Sequence, residues 1–373
     1  MSATHSDAVH LWNRLGFGPG PGDAERLRAS GSDAWIRGQL SAEASEAHLD
    51  AALAARPGID KSIAQIVREH QEQNQSREPI ERALTDLRSA KLIRAVASPN
   101  QLREVMVDFW FNHFNVYAYA WEPSLPSYEK EAIRPHALGR FRDLLRAVAR
   151  HPAMMFFLDT YTNVADRIEN GETIRGINEN FARELLELHT VGVDAGYTQA
   201  DITDAARALT GWTIEGWGTA KATYVFDFRA DRHDWGAKQV FGLHIAPSGE
   251  AEGDDLLDYL SSHPATARFI ATKLVRRFVA DDPPISLVER VASRFLEAGG
   301  DIPLTLEAIF DSPEFHDPAH RANKFKTPFE FVASALRAAG GRIEATEDVL
   351  DRVEGMGMPL YEAKPPTGYA IPG

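Results

Sequence analysis

The sequence predicts a mainly α fold: one multi-helical body carrying a small antiparallel β-ribbon inserted near residues 212–244. Three observations lead there. Apolar residues recur at helical spacing along most of the chain. β-Branched and aromatic residues gather in short runs only between Trp212 and His244. Neither an alternation of strands and helices nor a fixed repeat period occurs, which argues against a parallel α/β sheet and against a solenoid. One large helical domain over 1–373 is expected, with lobes 1–210 and 245–373 joined by a 211–244 ribbon segment as the alternative division.

From the start, Ser6 or Asp7 is a cap for a short helix carrying Val9, Leu11, Trp12 and Leu15, stopped near Gly16. GFGPGPG then reads as a rigid turn. It has two prolines and no strand before it, so it is not a phosphate cradle. Asp23 opens a second helix that Gly31 stops, and Ser32 or Asp33 opens a third. Amphipathic stretches at 62–73 and 79–97 predict two more helices. Ser98-Pro99-Asn100 breaks the second, and a helix from Gln101 to Asn115 follows.

The aromatic, proline-containing stretch 116–127 reads as an ordered loop. Helices are expected at 128–137, 141–150 and 152–160. A polar loop with Gly171 and Gly176 separates them from helices at 179–189 and 199–210. The ribbon is assigned to 212–228 and 238–244, with HDWGAK between its strands. Helices return at 254–261, 264–280, 286–298, 303–310, 328–339 and 346–354, and the sequence ends in loop-like KPPTGYAIPG. In His151-Pro152 and His263-Pro264 the proline suits the first turn of a helix.

Composition removes several functions. The 373 residues carry 40 basic and 54 acidic side chains, a formal charge of −14, which repels phosphate backbones and argues against general nucleic-acid binding. The absence of cysteine excludes disulfides, thiolate nucleophiles and cysteine-held zinc or iron–sulfur centres. No apolar run reaches the ~18 residues of a membrane span. The N-terminus has no basic and apolar leader pattern, so the cytoplasm is the expected location of the chain as written.

Four places hold residues with chemical potential. On the 179–189 helix, Asn180, Arg183, Glu184 and Glu187 share one face, an arc of about 100° at ideal helical spacing. Two carboxylates at i,i+3 can divide acid and base roles or bridge a metal. The same face also suits a solvated ion-pair row. His113 lies on the apolar side of its helix, opposite Glu104, Asp108 and Asn112. It is either a core histidine bonded to a carbonyl or carboxylate, or a ligand or base reaching the Glu184/Glu187 face.

His233, Asp234 and Lys238 occupy the third place, the HDWGAK loop. A His-Asp pair there can orient a base or hold an ion, and Lys238 can bind an anion. Alternatively, Asp234 caps a turn and His233 is exposed. The fourth place is the helix after His263, where Lys273, Arg276 and Arg277 make a basic band. Such a band holds an anionic substrate or an acidic partner, or pairs with the protein's own carboxylates. HExxH, Glu-x-x-His, GxSxG and P-loop patterns are all absent.

The run NENFARELLELHTVGVDAGYTQADITDAARALTGW at 178–212, with DFWFNHFNV, HDWGAKQVFG, HPATARFIATKLVRRFVADDPP and PPTGY, resembles the large bacterial family called domain of unknown function 1800. HLWNRLGFGPGPGDAERL near the start matches as well, so the resemblance covers nearly the whole chain. Members are often exported and often continue past PPTGY into a further helical stretch. Neither feature is read in this sequence. The resemblance implies fold and family and names no activity.

Two functions follow from the residues. The first is a hydrolase-type enzyme acting on a small-molecule or glycan-like substrate. In it Glu184 or Glu187 is the base, Arg183 and Asn180 orient the substrate and His113 donates or ligates, with one divalent metal ion as the cofactor these donors admit. The second is a non-catalytic helical scaffold or binding protein with a buried ion-pair network. There the aromatic residues Tyr117, Tyr119, Trp121, Trp212 and Trp217 form a recognition surface.

Overall fold

The computed structural model describes residues 4–169, 172–219, 222–341 and 346–370. Gly171, expected in the polar loop, and residues 220–221 and 371–373 lie outside them. Helices dominate, and the capping chemistry explains where many begin. Thr4 rather than Ser6 or Asp7 caps His5–Leu15, and Asp7 closes the reciprocal box from inside the helix. His151 and His263 cap Pro152–Phe157 and Pro264–Phe278 by accepting from the amides of Ala153 and Ala265.

The ribbon differs from expectation. Two separate antiparallel hairpins stand there, Trp212–Ile214 with Phe226–Phe228 and Lys238–Val240 with Leu243–Ile245. A third pairs Arg167–Glu169 with Glu172–Ile174, inside the stretch read as polar loop. Each is three residues per strand, too short for a period-2 pattern to show in sequence.

Two helices leave the α path. Tyr128–Ile133 and Leu185–His189 are π-helical. In the second, Thr190 donates through its hydroxyl to the Leu185 carbonyl at 2.6 Å. This wider turn shifts the phase of the residues beyond Glu184, which ideal α-spacing cannot foresee.

A small apolar cluster joins Ile66, Ile80 and Ala83, and the main one runs from Ala8 to Tyr361. Trp110 at its centre is fully buried, and its indole N–H donates to the Ala137 carbonyl at 3.0 Å. The helix that carries it, Gln101–His113, is therefore fixed along its length. The C-terminal segment is tied to the end of that helix. Asn115 donates to the Ala363 and Pro365 carbonyls, and Asn112 exchanges bonds with the Tyr369 backbone.

Candidate functional site

The residues singled out in the sequence fall into three places with separate partners. The first is the surface of the Asn180–Glu184 helix and the π-turn after it. Arg183 donates to Glu179 at 3.1 Å and Gln199 at 3.2 Å, and reaches Glu187 at 3.7 Å. Asn180 donates to Asp159 at 3.3 Å. Burial, then the charge of Glu187, raises the Glu184 carboxyl above its usual range. Burial and Glu187 also push the Tyr197 hydroxyl up to about 12. These side chains are half-buried and face polar neighbours of their own surface.

The second place is the HDWGAK loop, where the side chains turn inward. His233 and Lys238 have 0% side-chain exposure, and both meet Glu252, itself 0% exposed. His233 Nε2 lies 2.9 Å from Glu252 Oε1, and its Nδ1 lies 2.8 Å from the Thr210 carbonyl. The Lys238 ammonium holds the other Glu252 oxygen. Burial pushes the Glu252 carboxyl up, but Lys238, His233 and the amides of Ser248 and Gly249 outweigh it and hold it low. Asp234 takes a two-pronged bond from Arg207 at 2.9 and 3.0 Å and accepts from the Gly236 amide. An exposed His233 is thus replaced by a dry clamp that ties the second hairpin to the Glu250–Ser261 helix.

His113 forms the third place with residues from elsewhere in the chain. Its Nε2 lies 3.1 Å from the His189 carbonyl, so it carries the proton and donates. Nδ1 is then an acceptor, and the Lys273 ammonium donates to it at 2.8 Å. Burial, then the charge of Lys273, holds the imidazole well below its usual range, so it is neutral. Burial and nearby Arg276 bring the Lys273 ammonium down to about 8. The His189 ring is fully buried as well, and neither of its nitrogens has a partner among the described residues.

His113 and Lys273 line a cleft with about 80 Å³ of free interior space. The Gln101–His113 helix supplies one wall with Asp108, Phe109 and Asn112. The Pro264–Phe278 helix supplies Lys273 and Arg277, and the C-terminal segment supplies Leu360, Tyr361 and Tyr369. Four cations, Lys91, Lys273, Arg277 and Lys324, face two carboxylates, Asp108 and Glu330.

Three of those cations are tied to carboxylates. Lys91 meets Asp108 at 2.6 Å, Arg277 meets Glu330 at 2.7 Å, and Lys324 meets Asp281. Lys273 has no carboxylate partner among the described residues. Tyr361, at φ +68°, holds a backbone conformation that bulky residues rarely adopt. Its hydroxyl donates to the buried Glu129 at 2.6 Å, and its ring lies 4.8 Å from the Lys91 ammonium.

Sequence reasoning found His113 and the basic band of Lys273 and Arg277, but did not join them. Lys91, Lys324 and Tyr361 left no signal, because only the fold brings them to this cleft. His113 and His233 are bonded to different partners, the first to the His189 carbonyl and Lys273, the second to Glu252 and the Thr210 carbonyl. Among the described residues, no group of three or more His, Asp or Glu side chains is placed to hold a metal ion.

The family model described as Protein of unknown function (DUF1800) matches residues 10–372. No curated protein and no solved structure matches the chain.

Proposed function

The chain belongs to the DUF1800 family, and on that premise we propose that it is an acid–base enzyme whose cleft beside His113 takes a small anionic substrate. The observation that carries this is the contact of Lys273 with neutral His113 at 2.8 Å. A part-buried cation without a counter-charge is costly to hold. Here it opens on a cleft whose other three cations are each paired with a carboxylate, which leaves one positive charge over, in a protein of charge −14. An anionic ligand supplies the missing charge, and the apolar wall of Phe109 and Leu360 accepts its carbon skeleton.

The proton chemistry follows from the hydrogen bonds. The His189 carbonyl fixes the tautomer of His113, leaving Nδ1 to accept a hydrogen bond from Lys273. An ammonium lowered to about 8 gives and takes protons near neutral pH, where general acid–base catalysis is most effective. Hydrolysis of a polar substrate is one reaction such a pair serves. Glu184, Glu187, Arg183 and Asn180 have no part in this reading.

A second reading, the non-catalytic scaffold, draws support from the buried networks. Glu104, Glu129 and Arg134 form one, with Arg134 bonds of 2.8 to 3.1 Å, and Glu252 organises the other. Calorimetric titration with phosphate, citrate and oxalate separates the two readings. The enzyme reading expects one saltable site, weakened ~10-fold or more by Lys273→Met, the loss of one charged hydrogen bond. No binding by any of the three anions would favour the scaffold.

A further inference from the structure

Three lysines line the cleft, and they are not equivalent. Lys91 is held by Asp108 and enclosed by the rings of Phe111, Phe329 and Tyr361. Lys273 meets only a neutral imidazole nitrogen and lies 5.1 Å from the Phe269 ring centre. It is the cleft lysine that can give up a proton and expose a lone pair. Arg277 and Lys324, already neutralised by carboxylates, stand beside it as rigid donors for an anionic group.

We propose that Lys273 forms an imine with the carbonyl carbon of the substrate, and that the substrate is an aldehyde or ketone carrying a carboxylate or phosphate. This rests on the reading of the cleft given above. The Lys273 ammonium gives one proton to solvent at the cleft mouth, and His113 Nδ1 holds the remaining amine by a hydrogen bond. The freed lone pair adds to the carbonyl carbon, and a second Nζ proton passes to the carbonyl oxygen, giving a carbinolamine. A proton from solvent then joins that oxygen, which departs as water, and the C–N double bond forms. Overall, one ammonium and one carbonyl give one protonated imine and one water, with no oxidant or reductant. An ammonium brought down toward neutral pH by burial supports the first step.

The test uses the whole chain with glyoxylate, pyruvate or pyridoxal 5′-phosphate, followed by borohydride reduction and peptide mass mapping. The chain has nine lysines, so the other eight are the internal control. Lys273 is expected to carry the reduced adduct at least ~10-fold ahead of any other lysine, and inorganic phosphate is expected to protect it. Lys273→Arg keeps the cation and is expected to retain phosphate binding while losing the adduct. His113→Asn is expected to slow the adduct without moving it to another lysine.

Phosphate binding at the cleft with Lys273 labelled no faster than the other lysines would overturn the imine and leave the anion cleft standing. Absence of both phosphate binding and selective labelling would overturn the two together.

Discussion

Glu252 Oε1 stands 2.9 Å from His233 Nε2, with both side chains wholly withdrawn from solvent. The second carboxylate oxygen takes the buried Lys238 ammonium. Glu252 therefore joins the HDWGAK loop to the N-terminal turn of the Glu250–Ser261 helix, where it also accepts from the Ser248 and Gly249 amides at 2.9 and 3.1 Å. Glu252→Gln keeps the volume but takes away the close counter-charge of buried Lys238, leaving only Asp234 at 3.9 Å. The expected loss of stability is about 3–5 kcal/mol, read from urea unfolding. A variant within about 1 kcal/mol of the parent would refute the picture of a dry, interdependent clamp.

Glu184→Gln should behave in the opposite way. Burial and the neighbouring Glu187 raise the Glu184 carboxyl, so its ionisation disfavours the folded state at pH 7. The stability it withholds is regained as pH falls through the raised value. A neutral amide relieves the repulsion. Because the side chain is half-exposed, the gain is discounted to about 0–1 kcal/mol. The melting temperature at pH 7 should be equal or slightly higher, and a fall of several degrees would show that Glu184 makes a structural contact.

Acid should destabilise the protein through its buried histidines. Burial brings His151 down to about 3, and its Nε2 has no partner among the described residues. The unfolded chain protonates first as pH falls below 6.5, so the stability present above that value is lost on the way down toward about 3. His189, also at about 3, and His10, at about 4, act in the same direction. His151→Asn keeps an oxygen to cap the Ala153 amide and cannot titrate. Between pH 7 and pH 5 this variant should lose about 2 kcal/mol less than the parent. Equal losses would mean that His151 is charged in the fold.

Much of the helical architecture is legible residue by residue. Gly31 stops Asp23–Ser30, Pro264 starts its helix, and Gly16 ends the first, because caps and breakers act over a few neighbouring residues. The pairing of Arg183 with Glu187 is legible for the same reason. The hairpins are less so. At three residues each, their strands are set by neighbours that the chain reaches only after folding.

The cleft shows where local reasoning stops. His113 and Lys273 are 160 positions apart, yet one hydrogen bond joins them. Helical phase placed His113 on an apolar face, and the buried imidazole does lie there. Which acceptor and which cation meet it depends on how three helices cross. Likewise, the spacing of His233, Asp234 and Lys238 suggested an open binding loop, whereas a carboxylate from the next helix draws two of them into the interior.

By itself, then, the sequence determined the helical class, the positions of most breaks, the family and the exclusion of cysteine chemistry, since these depend on composition and on contacts within a turn or two. Tertiary structure decided which charges are neutralised. Pairing of Lys91 with Asp108 and Arg277 with Glu330, and the lack of such a partner for Lys273, arise from long-range packing. Coulomb energy and desolvation depend on distance through space and on exclusion of water, and neither is encoded in position along the chain.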